Sequence, residues 1–242
     1  MSKTIAMANF KGGVGKTTSV LNIGAALAQM GKKTLLIDLD PQANLTNSLG
    51  VADPGVTIYN ILRKTEKIKT QNVITNLSLI PSSLELNKAE LEMASEFKRE
   101  EILNKLLNPI KQQYDYILLD CPPSLGLLTI NAFVAADYII VPIEAEYLAL
   151  KGYSILNEAI SAVGLHIDHV FITKYDNRKI LNRDVKDSIE TALGGKLFKT
   201  LIRDNIALAE APAQGLDIFR YNPKSYGAED YTALCREIIN VL

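Results

Sequence analysis

The sequence predicts an α/β fold, a mostly parallel twisted sheet with helices on both faces. Short apolar runs of strand length alternate with helical periodicity along the chain, which is typical of β-α-β units with right-handed crossovers. The runs at 33–38 and 116–120 are apolar almost throughout, as expected of strands covered on both faces. With 242 residues, 48% of them hydrophobic, the chain is long enough to bury a substantial core, and we expect a single domain at residues 1–242.

The elements are predicted in order from periodicity and from the residues that end helices. Strands are predicted at 4–9, 33–38, 77–80, 116–120, 138–141 and 170–173, with a short edge strand at 198–202. Helices are predicted at 16–30, 58–63, 82–107, 147–163, 182–193 and 229–241. The long charged stretch at 82–107 is predicted either as one helix or as a broken one, and it ends before Pro109. Residues 41–56 are rich in Asn, Ser, Gly and Pro and are predicted to form a loop.

A glycine-rich loop, Lys-Gly-Gly-Val-Gly-Lys-Thr-Thr at 11–18, directly follows the first predicted strand and opens into a helix. Glycines let backbone N–H groups converge on phosphate oxygens, and the helix points the positive end of its dipole at the same anion. Lys16 supplies a charge for the β and γ phosphates, and the Thr17 hydroxyl is suited to ligating Mg²⁺. The strand-loop-helix context favours a nucleotide-binding loop over an ordinary glycine-rich turn. The predicted nucleotide contacts here are Lys11, Gly12, Gly13, Val14, Gly15, Lys16, Thr17 and Thr18.

Carboxylates end two of the predicted strands. Asp38 and Asp40 lie at the end of the second strand, and Asp120 ends a later one. Because the carboxyl ends of parallel strands meet at one edge of a sheet, we expect these side chains to face the phosphate loop. Asp120 is placed to hold Mg²⁺, as a Walker B aspartate does, together with Thr17. The alternative for Asp38 and Asp40 is a pair of solubilising acids at a strand end.

Composition limits the functional classes. The 26 basic and 27 acidic residues nearly cancel, so that any nucleic-acid surface would have to be a local patch. Cys121 and Cys235 form no disulfide framework and no metal pair, which fits a reduced, cytosolic compartment. His166 and His169 have no evident third ligand, and structural or surface roles are favoured for them. Neither a signal-peptide pattern nor an apolar run of membrane-spanning length is found.

The motifs together resemble those of the deviant Walker A ATPases, a branch of the P-loop NTPases. The ordinary phosphate loop would have glycine at position 10, where this chain has Phe10, and the loop begins instead with a second lysine, Lys11. The loop, the D-x-D-P-Q motif at 38–42 and the D-C-P-P-S motif at 120–124 are similar to those of ParA/Soj-type partitioning ATPases. Two later segments match the family pattern in part, so that the resemblance covers essentially the whole chain: residues 201–212 and 221–228.

The resemblance implies a slow, Mg²⁺-dependent ATPase that hydrolyses ATP to ADP and phosphate as a sandwich homodimer. In the family the lysine at the Lys11 position crosses the interface to the partner's phosphates, so Lys11 is expected to be catalytic along with Lys16 and Asp40. By the same resemblance, Asp40 orients or activates the attacking water, and Asp38 supports the metal shell. Asn205 lies in a loop that would approach the adenine, although the residues that follow it read equally well as the packed start of a helix.

The resemblance also implies partners. The ATP-bound dimer would bind DNA non-specifically, and a ParB-like DNA-binding protein would stimulate hydrolysis, during plasmid or chromosome segregation in the cytoplasm and at the nucleoid. The candidate DNA-binding residues are Arg178, Lys179, Arg183, Arg203 and Arg220, with Lys174, Lys199 and Lys224 as further cations. The chain departs from the family pattern at Asp204 and Ala207, which leaves open a rearranged DNA surface or a protein cargo.

A membrane-surface ATPase of the MinD type is the main alternative. That group ends in a basic amphipathic helix, whereas the last predicted helix here carries one cation, Arg236, beside Glu237. Packing of this helix on the sheet is therefore favoured, and no membrane partner is expected. A small-molecule ligase on the same fold would need a substrate-pocket motif, which the sequence does not show.

Overall fold

All eight strands form one sheet in a computed structural model that describes residues 2–242. The strands are β1 (Lys3–Met7), β2 (Thr34–Asp38), β3 (Gln71–Ile74), β4 (Leu77–Ile80), β5 (Tyr116–Asp120), β6 (Tyr138–Glu144), β7 (His169–Tyr175) and β8 (Leu197–Arg203). Their order is β3-β4-β2-β5-β1-β6-β7-β8, and every pair is parallel except β3 with β4. The predicted mostly parallel sheet is confirmed, with β8 at one edge as expected.

Helices cover both faces of this sheet. They are α1 (Lys16–Gln29), α2 (Asn44–Ser48), α3 (Ile58–Leu62), α4 (Ala89–Met93), α5 (Ile102–Leu107), α6 (Leu127–Ala135), α7 (Ala149–Ala162), α8 (Ile180–Leu193), α9 (Ile206–Glu210), α10 (Ile218–Tyr221) and α11 (Tyr226–Val241). Buried side chains of α1 and α11 form one core, and those of α3 to α8 form the other. Side chains along β2 alternate between them, with Leu35 and Ile37 in one core and Leu36 in the other, which explains why the strand is apolar throughout.

Several parts of the structure differ from the elements predicted from the sequence. Of the two alternatives for 82–107, the broken helix is the one observed, because short 3₁₀ turns interrupt the stretch and Lys98 adopts a left-handed backbone with φ 54°. The predicted loop at 41–56 contains α2, a polar five-residue helix without apolar periodicity. Three further elements lay outside the prediction: α6, which is apolar on almost every side, β3, a short half-buried edge strand, and α10, a four-residue helix.

The topology brings the site residues to one edge. Strand β1 lies in the middle of the sheet, between β5 and β6, and β2 lies on the other side of β5. Since these four strands are parallel, the loop after β1 and the carboxylates that end β2 and β5 share the carboxyl edge. Among the helices of residues 2–242, none is long and apolar enough to cross a membrane.

Candidate nucleotide-binding site

The phosphate loop is held open by its backbone conformation. Gly13 and Gly15 have φ of 76° and 91°, in the left-handed region where other residues are strained. Val14 between them is buried, and its carbonyl accepts a hydrogen bond of 2.8 Å from the Thr173 hydroxyl on β7. Gly15 then precedes the first turn of α1. The loop is thereby anchored to its neighbouring strand, and the end of α1 faces the space above it.

Lys16 is a buried cation whose ammonium group forms no close ion pair with a carboxylate of residues 2–242. Its side chain is only 7% exposed, and its Nζ donates to the Lys11 carbonyl at 3.3 Å. Burial lowers the pKa of Lys16, and the charges of Asp120 and Asp40 oppose that shift. An ammonium group inside the loop whose one hydrogen bond within the described part of the chain goes to a carbonyl is suited to binding phosphate oxygens.

Asp120 is a buried carboxylate whose two oxygens accept no hydrogen bond from the described residues. Burial, and then the charge of Asp38, raise the pKa of Asp120 well above its usual range, and the nearby Thr17 hydroxyl opposes this only in part. Leaving a carboxylate buried and unpaired is costly. A divalent cation relieves that cost, so the residues present fit a Mg²⁺ ion held by Asp120 and Thr17.

Asp38 lies opposite Asp120 on the adjacent strand, but its oxygens already have donors. It accepts hydrogen bonds from the Thr46 amide at 2.9 Å, the Thr46 hydroxyl at 2.7 Å and the Asp40 amide at 3.2 Å. Burial raises the pKa of Asp38 to about 6, and the bonds from Thr46 limit the rise. The hydrogen bonds from Thr46 fix the start of α2. With its oxygens already bonded, Asp38 is suited to support a metal site through its neighbour Asp120 and not as a direct ligand. Asp40, by contrast, lines the cavity described next.

A cavity of about 490 Å³ extends from the phosphate loop to the end of β8. At one end it is lined by Gly12, Gly13, Gly15, Lys16, Thr17, Thr18 and Asp40, and at the other by Ile202, Arg203, Asp204, Asn205, Leu208 and Tyr231. Asn205 also caps α9, since its Oδ1 accepts the Ala207 amide at 2.9 Å. The sequence left open whether this segment forms part of the nucleotide cavity or only the start of a packed helix. In the structure it does both, because Asn205 caps α9 and also lines the cavity. Lining residues Thr173 and Tyr231 carry no motif that could have predicted them.

Lys11 and Val14 lie outside this cavity, unlike the other loop residues predicted to contact the nucleotide. The Lys11 Nζ donates to Glu144 Oε2 at 3.1 Å and to Glu146. Together with Val14 and Leu148, Lys11 lines a groove of about 370 Å³ on the other side of the loop. The structure therefore separates the two lysines of the loop: Lys16 lies in the cavity and Lys11 beside it.

Of the five candidate DNA-binding residues, three form ion pairs. Arg178 donates twice to Asp176 at 2.9 Å and Arg220 pairs with the buried Asp217. Arg203 binds Asp230 and Glu229, and its guanidinium lies 4.1 Å from the centre of the Tyr226 ring. Within residues 2–242, no carboxylate oxygen lies within 4 Å of the side-chain nitrogens of the other two, Lys179 and Arg183.

A parallel sheet with a glycine-rich loop after its central strand and two buried aspartates beside it defines a P-loop nucleotide-binding protein, and Lys11 places it in the deviant Walker A class. Residues 2–173 match the model of a family described as an AAA domain. The chain is 43% identical to the chromosome-partitioning ATPase Soj of Treponema pallidum, over 99% of this chain and 98% of that protein. It is also 43% identical to the sporulation initiation inhibitor protein Soj of Bacillus subtilis, over 98% of each chain.

A comparison with solved structures gives the same fold. The cobyrinic acid a,c-diamide synthase from Mycobacterium smegmatis, determined with an ATP analogue and magnesium, is similar with a TM-score of 0.86 and 32% identity. The match covers 99% of this chain and 95% of that one. The chain belongs to the ParA/Soj family of partitioning ATPases, and the predicted fold and enzyme class are confirmed.

Proposed function

We propose that this chain, as one domain over residues 1–242, is an ATP-dependent switch for segregating a plasmid or chromosome. ATP and Mg²⁺ join two copies in a sandwich homodimer, and the dimer binds DNA non-specifically in the cytoplasm, at the nucleoid. Hydrolysis, stimulated by a ParB-like DNA-binding partner, returns the protein to monomers. The nucleotide state thereby sets the population of the DNA-binding form.

The position of Lys11 supports this proposal most directly. Its ammonium group lies beside the nucleotide cavity and not in it, so it is placed to act on a nucleotide other than its own. Tyr147 and Leu148, in the loop after β6 that also carries Glu146, are 82% and 61% exposed and give this edge an apolar surface. In a two-fold dimer each copy would cover this surface of the other and donate its Lys11 to the other's phosphates.

The cavity residues are suited to phosphoryl transfer to water. Mg²⁺, held by Thr17 and Asp120 with Asp38 in support, would neutralise charge on the β and γ phosphates. Lys16 from the same chain and Lys11 from the partner copy would stabilise the charge that develops as the terminal phosphate leaves. Asp40 would orient the attacking water.

Lys179 and Arg183 are the cations best placed for DNA, because they are exposed at the start of α8 and have no carboxylate partner within the described chain. Arg203 and Arg220 are less suited, since their charges are neutralised within the protein. A DNA surface built on few unpaired cations would bind weakly and with strong salt dependence. A protein cargo remains the second candidate, because Arg203 is sequestered and Asp204 lies beside it.

The last helix gives no support to a membrane-bound alternative. Leu234, Cys235 and Ile238 of α11 are fully buried against the core that α1 also enters. An amphipathic helix that docks on lipid would need this apolar face for the membrane.

Two measurements on one sample test the proposal. Sedimentation velocity with Mg²⁺ and a non-hydrolysable ATP analogue should show a dimer, and with ADP a monomer. Gel shifts with plain double-stranded DNA should show binding only with the analogue, and binding should decrease steeply as salt rises. A monomer under all conditions would exclude the switch, and a dimer that does not bind DNA at low salt would exclude DNA as the track and favour a protein cargo.

A further inference from the structure

Two glutamates of the same chain hold the Lys11 side chain. Glu144, the last residue of β6, binds its Nζ at 3.1 Å, and Glu146 binds it from the following loop. The Lys11 and Glu146 side chains are about half exposed, at 48% and 52%, whereas Glu144 is only 15% exposed. Glu144 is therefore the fixed part of this arrangement, and Glu146 closes over the amine from outside.

A second lysine keeps Glu144 in place. The Lys174 Nζ lies 3.3 Å from the other Glu144 oxygen, Oε1. Lys174 follows Thr173, whose hydroxyl binds the phosphate loop at Val14, and has a left-handed backbone with φ 51°. The carboxylate that binds Lys11 is thus connected to the strand that anchors the loop.

We infer that Glu144 and Glu146 form a latch that holds Lys11 within its own subunit and opposes ATP-dependent dimerisation, an inference that rests on the proposed function. The amine cannot bind these carboxylates and a partner's phosphates at once, because both need the same donors. Nucleotide on the partner must therefore displace the latch before the dimer forms. Glu144 and Glu146 act through Lys11 as positioning residues.

The size of the effect follows from exposure. An exposed ion pair shifts an equilibrium by about threefold, and a symmetric dimer opens two latches, so that the two factors multiply. Removing the Glu146 carboxylate from both copies should therefore lower the dimer dissociation constant by about tenfold. Because the Lys11 and Glu146 side chains are about half exposed, rising salt should reduce the difference.

The first test uses the nucleotide-free protein. Competitive acetylation of lysines with acetic anhydride, read by mass spectrometry, reports how free each amine is. Glu146→Gln should raise the labelling rate of Lys11 relative to Lys69, an exposed lysine between α3 and β3. The matched control is Glu158→Gln, which removes an equal charge from an exposed site on α7 and should leave the ratio unchanged. An unchanged ratio in Glu146→Gln would overturn the latch whether or not the protein dimerises.

The second test measures dimerisation by sedimentation with Mg²⁺ and a non-hydrolysable ATP analogue. Glu146→Gln should dimerise about tenfold more tightly than the wild type, Glu158→Gln should match the wild type, and Glu146→Asp should lie nearer the wild type because it keeps the charge. In a protein that already carries Lys11→Ala, the further substitution Glu146→Gln should not tighten dimerisation, because the latch has no lysine to hold. If the wild type dimerises and Glu146→Gln dimerises no more tightly, the latch is overturned while the proposed function stands. If neither dimerises, the proposed function fails and the inference fails with it.

Discussion

The carboxylates of Asp38 and Asp120 lie opposite each other on the adjacent strands β2 and β5, and both are fully buried. Burial raises the pKa of both, and the charge of Asp38 raises that of Asp120 further, but within residues 2–242 only the oxygens of Asp38 accept hydrogen bonds. The protein thus keeps one satisfied and one unsatisfied carboxylate in the same place. This arrangement destabilises the folded, metal-free protein, and binding of a cation would remove that destabilisation.

Replacing the unsatisfied carboxylate should stabilise the metal-free protein. Asp120→Asn removes a buried charge without breaking a hydrogen bond, and we expect a gain of about 1–3 kcal/mol in the free energy of unfolding at neutral pH. Because the pKa of Asp120 is raised in the folded state, the wild type loses stability as the pH rises through that value. The gain should therefore vanish below about pH 4, where this carboxyl is protonated in both states.

Urea unfolding at several pH values, with EDTA present, measures this gain. The exposed Asp184→Asn is the control and should change stability little. The same Asp120→Asn protein should lose Mg²⁺-dependent ATP hydrolysis. A destabilised Asp120→Asn at neutral pH would show that the carboxylate has a partner in solution.

The hydroxyl of Thr46 connects Asp38 to the rest of the fold. It donates to Asp38 at 2.7 Å and accepts the Ser82 amide at 2.9 Å. Thr46→Val should leave both groups buried without this partner and destabilise the protein by about 1–3 kcal/mol. Thr191→Val, which removes an exposed hydroxyl on α8, is the matched control for thermal unfolding. Equal melting temperatures for the two variants would contradict the role given to Thr46.

The unpaired cations of α8 should account for DNA affinity better than the paired ones. Removing Lys179 and Arg183 together should weaken ATP-dependent DNA binding and lower the slope of log affinity against log salt by about one unit for each DNA phosphate that is no longer neutralised. Arg220→Ala should leave that slope unchanged, because Asp217 already neutralises Arg220. Lys33→Ala, just before β2 at the opposite edge of the sheet, controls for net charge. A slope that responds to Arg220 and not to the α8 pair would move the DNA surface elsewhere.

Much of the site could be predicted because it depends on local sequence. Strand β5 was predicted with its observed limits, since a run buried on both faces is apolar throughout. The phosphate loop was predicted because its chemistry needs glycines and a lysine at fixed spacing. By contrast, α6 could not be predicted because it is so uniformly apolar that its sequence has no helical period. Helix α2 could not be predicted because its start is held by a hydrogen bond from Thr46 to Asp38, which lies on β2.

The environment of Lys11 is the part of the site that the sequence could least predict. Its two glutamates lie 133 and 135 residues away along the chain, and no pattern in the sequence connects them to the loop. Only the pairing of β1 with β6 brings them together. The resemblance implied a role for Lys11 between subunits, and the structure adds where the side chain rests in a single subunit.

Mixing two inactive variants shows whether Lys11 acts on the nucleotide of a second copy. Lys11→Ala lacks the donated lysine, and Asp40→Ala lacks the group that orients water, so each alone should bind ATP and fail to hydrolyse it. In a mixed dimer, the Lys11→Ala subunit keeps Asp40 and receives Lys11 from its partner, which completes one site. With random pairing, the mixture should regain up to about a quarter of wild-type ATPase activity, because half the dimers are mixed and each has one complete site of two. Activity no greater than the sum of the separate variants would contradict donation of Lys11 between subunits.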